Sequence, residues 1–356
     1  MKKTATVTHN NAYNYGSFLQ MFALQKSIIK LGYDNEVINY KNPFYEKMFS
    51  PIHIGVNLGF VKSLYFYKEI KRRNEKFEEF FLMYIRSTKS LTKRELSELE
   101  YAYDVFITGS DQVWNYSWNQ EDATYFLDFV RNVKKISYAA SFGVKSILEK
   151  HKSEIKLFLQ DFSKISVREK SAINIVQELI GYQVNCDIDP VFLLDTEEWK
   201  KLPFDKKKSN KYIFAYLLDE KGKEYVRKIS EVTGFEVVYV GYDLPGIKKY
   251  GIGFRQYIDC GPLEWLSLVY NAQLIVTGSF HALAFSLIFN KDFFVHICNS
   301  WSSRIEDLLD LMNIDGRILN EKCDFEKEIM IDWQDVNKRI AVNRKCSLDN
   351  LKMYLD

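Results

Sequence analysis

Cysteine is scarce in this chain and badly placed for structural use. The five residues Cys186, Cys260, Cys298, Cys323 and Cys346 are scattered, with no C-x-x-C pair and no histidine at metal-ligand spacing. An odd, dispersed set argues against a disulfide framework and a structural zinc, and fits a reducing cytoplasm. An excess of one charge is missing too. Lys and Arg number 49 against 47 Asp and Glu, a net charge of +2, so nothing marks a nucleic-acid partner. No run of about 18 apolar residues is present to span a bilayer. The apolar stretch behind the basic start Met1-Lys2-Lys3 is interrupted by His9, Asn10 and Asn11, which argues against a signal peptide. A G-x-G-x-x-G fingerprint with an acidic residue at ribose distance is also lacking, so a dinucleotide site is unsupported. These absences predict a cytoplasmic protein with no cofactor, no metal and no nucleic-acid partner.

What is present is patterned for an α/β protein. At 356 residues, two domains are the default. Hydrophobic residues make up 47%, enough for ordinary cores, and the 23 Tyr and 26 Phe fit either thick cores or sugar-stacking surfaces. A first strand–helix series opens with a strand at Thr4–Thr8, the polar loop His9–Gly16 and a helix carrying Phe18, Met21, Phe22, Ile28 and Ile29 inward. Glu36–Tyr40, Val105–Ile107, Lys135–Ala140 and Ile165–Val167 read as further strands, with helices near Ser146–Gln160 and Glu169–Ile180. A second series has strands at Tyr212–Leu218, Glu236–Val240, Leu274–Thr277 and Phe293–Ile297. Its helices run over Glu220–Val232, from Pro262, after Gly278-Ser279 and from Ser303. Thr196–Asn210, with Pro203 and the run Lys206-Lys207-Lys208, reads as a linker. The division is therefore 1–195, a linker 196–210, and 211–356. Alternating strands and helices imply two parallel-sheet domains whose strand-end loops converge on a shared cleft.

The candidate site residues lie at those strand ends. His281 follows a buried strand and a Gly278-Ser279 turn, where a helix N-terminus offers backbone donors and a positive dipole end to a phosphate or carboxylate. It is read either as an active imidazole or as a residue that only satisfies local backbone. His9 lies near another strand end and stands open between a supporting and a structural role. His53, His151 and His296 carry no functional reading, and His296 is assigned to the core. Arg168 ends an apolar strand, which suits an anion partner or a pair with Glu169 or Asp187. Arg304, in the first turn of a helix, is open between an anion contact and plain exposure. Asn14-Tyr15-Gly16-Ser17 offers a close backbone approach and a capping Ser17. In Gly109-Ser110-Asp111-Gln112-Val113-Trp114-Asn115, Asp111 suits a base and Trp114 a sugar platform; the other reading is an Asx turn with a core tryptophan. Asp187 and Asp189 read as turn and cap residues. The basic aromatic segment 61–81 reads as an amphipathic helix, with docking on an anionic membrane surface as the second reading.

Taken together these strings resemble the polysaccharide pyruvyl transferase family. The resemblance rests on Asn14 to Gln20 with Ala23-Leu24-Gln25, Thr108 to Asn115, Tyr138 to Gly143, Ser166 to Glu169, Asp187 to Val191, Thr277 to His281, and Ser303-Arg304-Ile305, in order over roughly residues 10–310. Two departures are visible: Gly278 stands where the pattern has an aspartate, and Ala282 where it has a glycine. Both bear on the hydrogen bonding around His281. The resemblance implies two Rossmann-like domains in a GT-B-like arrangement with an interdomain cleft, acceptor side first and donor side second. It implies phosphoenolpyruvate as donor and a saccharide acceptor, free or lipid-linked, with phosphate released and a cyclic pyruvate ketal formed. Such chemistry needs an acid and a base within hydrogen-bond reach. His281 is assigned as the acid on the donor and Asp111 as the base on the sugar. Arg168, Arg304, Gly278 and Ser279 hold the donor's charge, and Asn14, Gly16, Ser17, Ser110 and Trp114 complete the binding set. The alternatives are a nucleotide-sugar glycosyltransferase on the same plan and a binding module without turnover. The location implied is the cytoplasm, with peripheral contact at the inner membrane face through 61–81.

Overall fold

A computed structural model describes residues 1–51, 64–207, 211–242, 253–297, 303–320 and 330–356. His53, residues 61–63 of the basic aromatic segment, Lys208, Ser209, Asn210, Cys298 and Cys323 lie outside the described residues. The chain divides into two units. The first takes Met1–Phe49, Phe81–Leu194 and Ala341–Asp356, and the second takes Ser50–Phe80 and Asp195–Ile340.

The first unit is built on strands β1 (Lys3–Val7), β2 (Asp34–Val37), β3 (Val105–Thr108) and β4 (Lys134–Ser137), all parallel, in the order β2-β1-β3-β4. The short parallel pair β5 (Ser166–Val167) and β6 (Asn185–Cys186) follows, bridged to β4 through Ile136–Lys164 and, just beyond it, Ala140–Val167. All four residues of β3 are buried. Such a run without alternation suits a parallel sheet covered on both faces. The helix Tyr15–Lys30 is buried on most of its circumference and packs on the turn Pro190–Leu193. Its cap is Asn14, whose side chain accepts from the Ser17 N–H, so Ser17 sits inside the helix and is not the cap. Because the strand order reverses between β1 and β3, the crevice beyond their carboxyl ends is where such folds place ligands.

The second unit carries β7 (Tyr212–Tyr216), β8 (Glu236–Val240), β9 (Phe254–Tyr257), β10 (Leu274–Thr277) and β11 (Asp292–Val295). All pairs are parallel and the order is β11-β10-β7-β8-β9, the Rossmann order counted from its own first strand. Its reversal lies between β7 and β10. Asp219 caps the helix Glu220–Thr233 and Gly234, at φ 70°, closes it. The helix Phe280–Ile288 is buried from His281 onward.

Besides β9 and the short helix Pro43–Met48, neither announced by the sequence, two further stretches differ from the sequence expectation. The start of the linker, Thr196–Lys200, is a helix opened by a capping box between Asp195 and Glu198. Its Trp199 is fully buried against Phe285, ring centroids 4.9 Å apart. One apolar anchor in a polar, lysine-rich run is enough to fold it. The other is the helix Trp333–Leu355, which no motif announced; its residues from 341 on, with Asp356 after it, belong to the first unit. They are held there by Asp187, which accepts from Ser166, Asn350 and Tyr354 hydroxyl or amide groups. In the helix Tyr67–Tyr84 and the turn before it, Phe66, Ile70, Phe77, Phe80 and Phe81 are buried, while Leu64, Tyr65, Lys68, Lys71 and Arg72 face outward. Most of its aromatic stripe is therefore core. No helix among the described residues is long and apolar enough to cross a membrane.

Candidate functional site

The loops beyond β1, β3, β4 and β5 gather a buried polar cluster in the first unit. Gly109 opens the β3 loop at φ 126°, and a Cβ there would lie 2.1 Å from the Tyr138 carbonyl oxygen, so only glycine fits. Asp111 follows in the left-handed region, φ 67°, a conformation that Asp tolerates better than most residues. The Ser17 hydroxyl donates to Asp111 Oδ2 at 2.5 Å, joining the start of the helix Tyr15–Lys30 to this loop. Arg168 Nη2 lies 3.7 Å from Asp111 Oδ1, while Nη1 donates to Asp189 Oδ2 at 2.5 Å and Nε is 3.9 Å from Glu169. Burial works against charge on Arg168, yet Asp189, Asp111 and Glu169 outweigh it and hold the guanidinium above its ordinary pKa. Glu169 is itself fixed, its Oε1 accepting from the Ser141 hydroxyl at 2.9 Å and the Phe142 N–H at 3.1 Å. The arrangement is a carboxylate, Asp111, held between a hydroxyl and a buried cation at the mouth of the sheet.

Not all the predicted residues of this loop serve a ligand. Trp114 is 1% exposed, stacked on Phe126 at 5.5 Å and flanked by Phe142 and Phe162, and its indole N–H donates to the Tyr125 carbonyl. A ring enclosed by aromatics on this scale is core, and the sugar-platform reading is corrected. Ser110 is likewise internal: its N–H donates to Gln20 and its hydroxyl to the Ala139 carbonyl. Gly16 is buried in the first turn of the Tyr15–Lys30 helix, which Asn14 caps.

The second unit holds the other group. Ser279 caps the helix Phe280–Ile288 by accepting from the Ala282 N–H at 3.3 Å. The Gly278 N–H donates to the Tyr216 carbonyl and the Ser279 N–H to Thr277 Oγ1, so these two donors are committed within the turn. The expectation that they receive an anion is corrected: the turn shapes the helix entry instead. His281 stands in the first helical turn, 7% exposed, edge-on to Phe280 at 5.3 Å. Arg304 is half-buried in the first turn of the helix Ser303–Met312.

Sequence reasoning missed three things. Asp189, read as a cap, does cap the Pro190–Leu193 turn but also binds Arg168. His296, read as core, is indeed buried, yet its Nε2 meets Asp219 at 2.8 Å beyond β11. His9 is bound to Asn119 at 3.1 Å beyond β1. In each case the partner is distant in sequence, and only the placing of both at one sheet edge gave a usable signal.

The two parallel sheets, each with a reversal of strand order, define an α/β protein of the doubly wound class. A profile of the polysaccharide pyruvyl transferase family matches residues 14–297. The chain belongs to the polysaccharide pyruvyl transferase family, and is an enzyme of it. No individually curated protein matches the sequence significantly. Among solved structures, the chain is similar to a protein described as a UDP-N-acetylglucosamine 2-epimerase from Listeria monocytogenes (TM-score 0.51, 13% identity, covering 99% of this chain and 90% of that one). It is also similar to the UDP-GlcNAc 2-epimerase of Methanocaldococcus jannaschii (TM-score 0.49, 13% identity, 96% and 92% covered). A glycosyltransferase from Streptomyces nogalater matches as well (TM-score 0.45, 10% identity, 98% and 95% covered). The Listeria protein shows a shared fold and nothing about chemistry.

Proposed function

We propose that this enzyme transfers pyruvate from phosphoenolpyruvate to a pair of hydroxyls on a saccharide, free or lipid-linked, forming a cyclic ketal and releasing phosphate. His281 delivers a proton to the donor. Asp111 takes the proton of the first attacking hydroxyl, with Ser17 fixing its carboxylate. Arg304 supplies positive charge against the donor's phosphate and carboxylate, while Arg168, paired with Asp189, faces Asp111 and helps to hold it. In this reading residues 1–195 serve the acceptor and residues from 211 onward serve the donor.

The observation that carries this reading is the continuity of the family match, which spans Ser17, Asp111, Arg168 and His281 in one chain. Ketal formation balances without any cofactor. The enol carbon gains one proton, the two hydroxyls lose one each, and phosphate leaves with the second. The test is phosphate release from phosphoenolpyruvate in the presence of methyl glycosides offering 1,2- and 1,3-diols, with mass spectrometry of the sugar. Acceptor-dependent release with a ketal on the sugar is expected. Tight binding of a uridine or guanosine diphosphate, with no release from phosphoenolpyruvate, would instead favour a nucleotide-sugar glycosyltransferase.

A further inference from the structure

Closing a ketal ring consumes two hydroxyl protons, and Asp111 accounts for one. The second acceptor must stand beside it. His9 lies just beyond β1, next to the strand that leads to Asp111, with Thr8 donating to the Ser110 carbonyl between them. Its ring is 4% exposed and wedged edge-on against Tyr45 and Tyr125, centroids 5.2 and 4.8 Å away.

The tautomer follows from its neighbours. Asn119 Nδ2 donates to the Val113 carbonyl at 2.8 Å, which turns Oδ1 toward His9. The Tyr45 hydroxyl donates to that same Oδ1 at 2.5 Å. An oxygen facing His9 Nε2 at 3.1 Å makes Nε2 the donor. Both polar contacts of the ring are at Nε2. The neutral ring therefore carries its lone pair on Nδ1. Burial keeps it neutral, lowering its pKa against the opposing pull of the Asp111 charge and the Asn119 bond.

We infer that His9 is a second base of the reaction, with Nδ1 receiving the proton of the second sugar hydroxyl and Asn119 as its positioning residue. The inference rests on the ketal-forming reading above. In the step, the second hydroxyl's O–H bond breaks and its oxygen bonds to the ketal carbon. The C–O bond to phosphate breaks with its electron pair on phosphate, and the proton stays on Nδ1 until water removes it.

The test is made on the full chain with phosphoenolpyruvate and the methyl glycoside panel in D2O. In His9→Gln, phosphate release falls at least a hundredfold. Phosphoenolpyruvate recovered from the reaction still gains deuterium at its methylene carbon, because the first addition and its reversal survive. Asn119→Ala keeps the imidazole but frees the ring, and loses phosphate release at least tenfold with exchange retained. Release within threefold of wild type in both variants overturns the inference, as does loss of exchange together with release in both. A wild-type enzyme that releases no phosphate with any glycoside overturns the proposed function itself, a separate result.

Discussion

Asp111 is held by Ser17 on one oxygen and faces Arg168 on the other, and each contact has its own expected cost. Asp111→Asn keeps the shape but removes the base, so acceptor-dependent phosphate release should fall about 100-fold or more, with donor affinity kept. His281→Ala should lose a similar factor in phosphate release. Arg168→Met is different. It leaves Asp189, fully buried, without its cation, and denaturant unfolding should show a loss of about 3–5 kcal/mol. His9 adds a pH dependence. Its folded pKa lies below 6.5, so the unfolded chain binds the proton more readily, and stability is complete above pH 6.5. It is lost as pH falls from 6.5 toward the folded value. His9→Gln should flatten that slope between pH 5 and 7 in urea unfolding midpoints.

Elements position these side chains. The β3 loop can turn only because Gly109 adopts φ 126° against the Tyr138 carbonyl, and Trp114 anchors the loop from inside the core. Trp114→Ala should cost about 3–5 kcal/mol in unfolding free energy. A sugar platform would raise the acceptor KM and leave stability alone. Most strands and their order along the chain were legible because buried parallel strands read as apolar runs ending in polar loops; β9, with Arg255 and Gln256 and no fully buried residue, was not. Helix ends such as Gly181 and Gly234 were legible for a local reason, a left-handed residue closing the last turn. Trp114 was not legible. An aromatic after a polar turn looks the same in sequence whether it faces a ligand or Phe126 and Phe142. The commitment of the Gly278 and Ser279 N–H groups was hidden for a like reason, since their acceptors include the Tyr216 carbonyl on another strand.

Across the whole molecule, the first unit depends on the end of the chain. Asn350 and Tyr354 bind Asp187, and Arg344 donates to the Phe192 carbonyl at 2.6 Å. Removing residues 341–356 should raise amide hydrogen exchange around Ser166–Asp187 and lower the unfolding temperature, whereas a dispensable tail would change neither. The amino-acid order alone determined the alternation of strands and helices, the parallel sheets and the family, because these rest on local periodicity and contiguous motifs. Tertiary structure decided which polar residues meet: Arg168 with Asp189, Ser17 with Asp111, His9 with Asn119. The physical reason is that a hydrogen bond depends on distance in space, and each of these pairs joins loops that separate strands carry to one edge of a sheet.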